Sequence, residues 1–223
     1  MSKHLQREIE NLKKRVLSLG AKIEENVYKA VRSVEERNRV LAGQVLESDT
    51  DIDRLEVDVE EECLKVLALY QPVAGDLRFI IAILKINNDL ERVGDLAVNI
   101  AERSIFLASR ERLDMPFDFT KMMDKTREML RMSLDALVNR DASLAHRIIL
   151  ADDEVDSYNR EMYVLIQQAI GKKPERLESL IHLLSCSRHL ERIADHATNI
   201  AEDVIYMVEG EIVRHQVEDY SSG

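Results

Sequence analysis

Glu91, Asp95, Asn99 and Glu102 recur as Glu191, Asp195, Asn199 and Glu202, and oxygen-rich side chains at that spacing bind cations if a partner helix completes the set. On a helix turning about 100° per residue, the four lie within about 80° of one another, on one flank of an apolar seam. Like charges at i and i+4 cost an isolated helix about 0.2–0.5 kcal/mol, so an ordinary solvated face sets Lys or Arg opposite Glu instead. Arg92 and Arg192 sit nearby and weaken that anomaly without removing it.

The repeat is wider than these acids. From Leu90 to Glu102 against Leu190 to Glu202, nine of thirteen positions are identical, which chance does not give. Two further acidic runs follow apolar seams by one residue: Asp49, Asp53, Glu56 and Glu60, and then Asp152, Asp156 and Asn159. In an antiparallel hairpin, residues equidistant from the turn share one level. Acids centred on 51 and 93 put the turn at 72, where Pro72 stands; acids centred on 154 and 193 put it at 173–174, where Pro174 stands. Each half thus levels a D-x-x-x-D with an E-x-x-x-D: Asp49, Asp53, Glu91 and Asp95 in one, Asp152, Asp156, Glu191 and Asp195 in the other, with Asn99 and Asn199 as further oxygen donors. Such an all-oxygen set suits hard or borderline cations such as iron, manganese, magnesium or calcium, and carboxylates about 6 Å apart along a helix have room for more than one ion. The competing reading makes Asp49 and Asp152 first-turn or capping acids and the remainder a solvated face.

The elements that must position these residues are helices. Seven Gly, three Pro and 4% aromatics leave little turn or sandwich material. Apolar residues spaced alternately by three and four define six long helices. The first runs through Leu5, Ile9, Leu12, Val16, Leu19 and Ile23 to about residue 41. The second runs through Ile52, Leu55, Val59, Cys63, Val66 and Tyr70 to the QPVAGD break, and after it the third carries Ile83, Ile86, Leu90, Val93, Ala97, Ile100 and Leu107 on its seam. After SRERLDMPFDF, with its charges and Pro116, a fourth spans about 119–139. The fifth carries Leu144 to Ala169, closed by GKKPE, and the sixth Leu183 to Met207. The expected fold is all-α: two tandem three-helix bundles, 1–110 and 119–215, related by the internal repeat and followed by a tail at 216–223.

Other features narrow the function. A net charge of −11 without any basic run repels phosphate backbones, so nucleic acid is not an expected partner. Isolated Cys63 and Cys186 suit a reducing compartment. The charged start and the short apolar run FIIAIL at 79–84 give neither a secretory leader nor a membrane span, so a cytoplasmic protein is expected. His182, His189 and His196 recur every seven residues, but that is about 10 Å of helix, too far for one ion, and they precede the seam that the acids follow. Met122, Met123 and Met129 read as core filler rather than soft ligands. No His stands three residues after a Glu, as a di-iron bundle requires, and phosphate-loop, dinucleotide and nucleophile-elbow patterns are absent, so no catalytic constellation is expected.

QPVAGDLR at 71–78, the paired LERVGD and LERIAD segments, and VIYMVEGEIVRH at 204–215 together resemble the PhoU family of phosphate-uptake regulators, over about 4–215. The resemblance implies a cytoplasmic protein of two three-helix bundles that restrains phosphate uptake and phosphate-starvation signalling. It implies action between the ATPase subunit of the phosphate ABC transporter and a sensor histidine kinase, and a homodimer is expected. It further implies the metal sites of some members, while other members are metal-free: multinuclear iron, with zinc, nickel, manganese or magnesium as alternatives, on motifs that fall here on Asp49, Asp53, Glu91, Asp95, Asp152, Asp156, Glu191 and Asp195. Leu96 stands where the second copy has His196, so the two sites need not be equal. The competing functions are a carboxylate-bridged metal hydrolase or oxidase, and a metal-free helical spacer.

Overall fold

A computed structural model describes residues 3–113, 117 and 119–211. Pro116, the tail at 216–223 and most of the motif after Gly210 lie outside the described residues. Among the described residues six α-helices follow one another: α1 (Lys3–Glu36), α2 (Arg39–Tyr70), α3 (Ala74–Ala108), α4 (Phe119–Asn139), α5 (Ala142–Lys172) and α6 (Leu177–Glu209), with one 3-10 turn, Pro174–Arg176, between α5 and α6. The fold is all-α and repeats a three-helix unit.

The heptad seams form the core. Leu12, Val16, Leu19 and Ile23 of α1, Leu90, Val93, Ala97 and Ile100 of α3, and Leu190, Ile193, Ala197 and Ile200 of α6 are fully buried. Each such Leu, Ile or Val contributes about 1.5–3 kcal/mol. α3 packs on α6 and α1 on α4, so these four helices form the centre, and one core runs through both units. Among the described residues α2 touches only α1 and α3, and α5 only α4, α6 and the 3-10 turn, which leaves α2 and α5 outermost. α3 and α6 run antiparallel: Lys85 Nζ meets Asp203 Oδ1 at 3.0 Å, and Phe106 stacks on His182 with ring centroids 3.9 Å apart. The seam methionines are buried filler, and both cysteines are buried and free.

One boundary differs from the sequence reading. The first helix ends at Glu36 rather than near 41, because Arg37 takes a left-handed φ of 56° and the Asn38 side chain accepts from the backbone N–H of Val40 and Leu41, starting α2. The same device joins α4 to α5, with Arg140 at φ 52° and the Asp141 side chain accepting from the N–H of Leu144. The capping reading of Asp49 and Asp152 is thereby overturned. The caps are Asn38 and Asp141, and both acids lie well inside α2 and α5.

Candidate functional site

The hairpins place each acidic strip on the outer seam between a peripheral helix and a central one. α2 ends at Tyr70 and α3 begins at Ala74, so the turn brackets Pro72; the α5–α6 turn brackets Lys173 and Pro174. The register deduced from the turns brings the acids within electrostatic reach of one another. In the first half, Asp49 is raised above the ordinary carboxylate range by burial and then by Asp53 and Asp95. Glu91 is raised by burial and then by Asp95, with Asp53 and Asp49 adding and Arg92 opposing. Glu56 joins this strip, raised by burial, Glu60, Glu91 and Asp53, while the Asn87 amide donates to its carboxylate at 2.9 Å.

The second strip is deeper. Burial pushes Asp152 up to about 7, with Asp195, Asp156, Asp153 and Glu191 adding to the shift. Among the described residues one Asp152 oxygen, Oδ1, is buried without a hydrogen-bond partner, an orphan whose desolvation costs stability. Glu191 is raised by burial, Asp195 and Asp156, and Asp195 by burial and Asp156, with His196 and Arg192 opposing. Arg160 reaches Asp156 at 3.4 Å.

The two asparagines are already engaged. Asn99 donates to the backbone carbonyl of Asp95 at 2.8 Å, whereas Asn199 reaches across to Asp89 of α3 at 3.3 Å. His196 Nδ1 meets the same Asp89 oxygen at 2.8 Å. Sequence reasoning weighed His196 and passed over Asp89. These residues are 107 apart in the chain, and helical periodicity alone does not say how two bundles dock.

Donor chemistry and charge fit a hard cation: clustered carboxylates whose burial and mutual repulsion disfavour their charge, and one orphaned buried oxygen. Among the described residues, however, no group of three or more His, Cys, Asp or Glu side chains stands ready to hold an ion. Ligation therefore requires these carboxylates to converge from their present positions. The histidine stripe does not supply a site either. His182 is stacked on Phe106, and both ring nitrogens of His189 are buried without partners beside Arg103, an environment hostile to cations.

The PhoU domain family matches residues 16–104 and 119–204, one copy per three-helix unit. The chain belongs to the PhoU family. A phosphate-specific transport system accessory protein PhoU homolog of Aquifex aeolicus is 41% identical over 210 residues, covering 94% of this chain and 95% of its own. A homolog of the same name from Pseudomonas aeruginosa is 36% identical, covering 96% and 89%. The crystal structure of PhoU from Pseudomonas aeruginosa superposes with a TM-score of 0.87 at 34% identity, covering 92% of this chain and 99% of that one. The phosphate transport system regulatory protein PhoU from Streptococcus pneumoniae superposes with a TM-score of 0.81 at 29% identity, covering 94% and 99%. These PhoU relatives are named as accessory or regulatory proteins rather than as enzymes. No described helix is long and apolar enough to cross a membrane.

Proposed function

We propose that this chain is a cytoplasmic negative regulator of phosphate uptake and phosphate-starvation signalling, an adaptor between the phosphate transporter's ATPase subunit and a sensor histidine kinase. The observation that carries the reading is the end-to-end relationship to phosphate-specific transport accessory proteins, at 41% identity over nearly both full lengths. With no candidate catalytic constellation in the sequence, the reading asks only for surfaces and sites. Its net charge of −11 steers it toward basic surfaces on those partners, which makes the contacts salt-sensitive. It acts as a homodimer.

Each acidic strip binds a cation in this reading: Asp49, Asp53, Glu91 and Asp95, with Asn99, in the first half, and Asp152, Asp156, Glu191 and Asp195, with Asn199, in the second. The ion is iron or another oxygen-seeking metal such as manganese or magnesium, and zinc or nickel are the alternatives. A bound cation supplies the positive charge that lets these carboxylates stay ionised side by side. It serves structure or sensing rather than catalysis.

The regulatory reading is tested by deleting the gene from its host and measuring phosphate-starvation transcripts in ample phosphate. Raised transcripts are expected. Unchanged transcripts together with unchanged phosphate uptake contradict it.

A further inference from the structure

The repeat relates Asp89 to His189, Leu96 to His196 and Asn99 to Asn199, so the contact between α3 and α6 has two equivalent corners. They are built differently. In one, Asp89 of the first unit gathers His196 and Asn199 of the second through a single oxygen, at 2.8 and 3.3 Å. Asp89 and His196 are largely buried, their side chains 16% and 17% exposed. In the other, His189 has no hydrogen-bond partner for either ring nitrogen, Leu96 is apolar and buried, and Asn99 turns back to its own helix.

The chemistry of the first corner is directional. A carboxylate only accepts, so the Asn199 amide must present its nitrogen to Asp89, which leaves its amide oxygen free of that contact. The His196 ring is likewise fixed, with Nδ1–H donating to Asp89. Asn199 stands one turn beyond Asp195 on the same helix, at the end of the second acidic strip. Pinning that amide removes rotamer freedom that cation ligation would otherwise have to remove. Partners of this kind, which orient a ligand without touching the ion, change metal affinity by about 10–100-fold when lost.

Resting on the cation reading above, we propose that Asp89, a residue of the first unit, is a positioning residue for the cation strip of the second unit. The dependence runs one way. Among the described residues the first strip has no equivalent tether from the second unit, because Asn99 bonds back to its own helix and Leu96 stands where the second copy has His196.

Two backgrounds isolate the strips: Glu91→Ala with Asp95→Ala leaves only the second, and Glu191→Ala with Asp195→Ala leaves only the first. Mn²⁺ binding to each is measured by calorimetry, with and without Asp89→Ala, alongside the melting temperature of the metal-free protein. Asp89→Ala should weaken Mn²⁺ about 10-fold or more where the second strip remains, and by less than about twofold where the first remains. Asp89→Asn, which keeps an oxygen acceptor, should recover most of the loss. If Asp89→Ala does not fold, His196→Leu, which copies the first half, replaces it, with weaker Mn²⁺ binding expected at the second strip and unchanged binding at the first. A lowered melting temperature with unchanged Mn²⁺ affinity at the second strip makes Asp89 merely structural and overturns the proposal, as does equal weakening at both strips. If neither background nor the parent takes up Mn²⁺, the cation reading itself fails, and this inference with it.

Discussion

In the first half, Arg92 lies 3.4 Å from Glu91 and 3.7 Å from Asp95 and offsets their charge. In the second, the matching Arg192 forms no ion pair among the described residues; Asp152 is pushed up to about 7, and α6 is tied to the opposite unit through Asp89. Duplication kept the seam, the turn and the acids, which a helix and its packing dictate, but not the neighbours that set how deeply those acids sit. Seam positions should therefore respond alike in the two halves, and flanking positions should not.

The largest effect tests the likeness. Leu90 and Leu190 are equivalent and fully buried, so Leu90→Ala and Leu190→Ala should each cost about 3 kcal/mol in urea unfolding, within about 1 kcal/mol of each other. A much smaller cost in one half would show that the two seams are not packed alike.

Next come the acids. The folded pKa of Asp152 exceeds the ordinary value, so the folded state holds a proton that the unfolded chain has released. The protein loses stability as pH rises from about 4 through about 7. Asp152→Asn should stabilise the metal-free protein by about 2 kcal/mol at pH 8 and leave it unchanged at pH 3.5, with a smaller gain for Asp49→Asn. Equal gains would erase the distinction in depth. His189 works in the opposite direction. Burial and then Arg103 push it down to about 4, so the folded state resists a proton that the unfolded chain accepts below about 6.5. Stability falls as pH drops through that window, and His189→Leu should flatten the fall by about 1–2 kcal/mol, as seen in unfolding curves at pH 4.5 and 7.5.

The smallest effect concerns Gly94, whose equivalent is Ala194. A Cβ added at Gly94 would meet Ile52 Cγ2 at 3.5 Å, ordinary contact distance, so Gly94→Ala should stabilise α3 by about 0.5–1 kcal/mol through helix propensity. A net loss in thermal unfolding would mean that the α2–α3 seam is tighter than its counterpart.

Much of this was legible in the sequence for a physical reason. The three-four spacing from Leu90 to Ile100 records which face is buried, and Pro72 and Pro174 record where the hairpins turn, so the level of the acids followed by counting. The break at Arg37–Asn38 was harder, because no Gly or Pro interrupts VEERNRVLA; the usable signal was its twin, Arg140–Asp141, an Asx cap in the same place in the second unit. The role of Asp89 was not readable. It depends on how α3 crosses α6, and one-dimensional spacing carries no information about docking between units. The relative depth of Asp152 and Asp49 was hidden likewise, since equal residue types at equal spacing give no measure of burial.

The central claim is that two separate cation sites lie on the duplicated acids. Elemental analysis of protein purified without chelating steps tests it most directly, on the parent, on Glu91→Ala with Asp95→Ala, and on Glu191→Ala with Asp195→Ala. Metal in the parent and a partial loss in each variant, the two losses together accounting for the whole, is the expected result. A parent with no metal above background, and no rise in melting temperature with iron, manganese, magnesium, calcium or zinc, would contradict it.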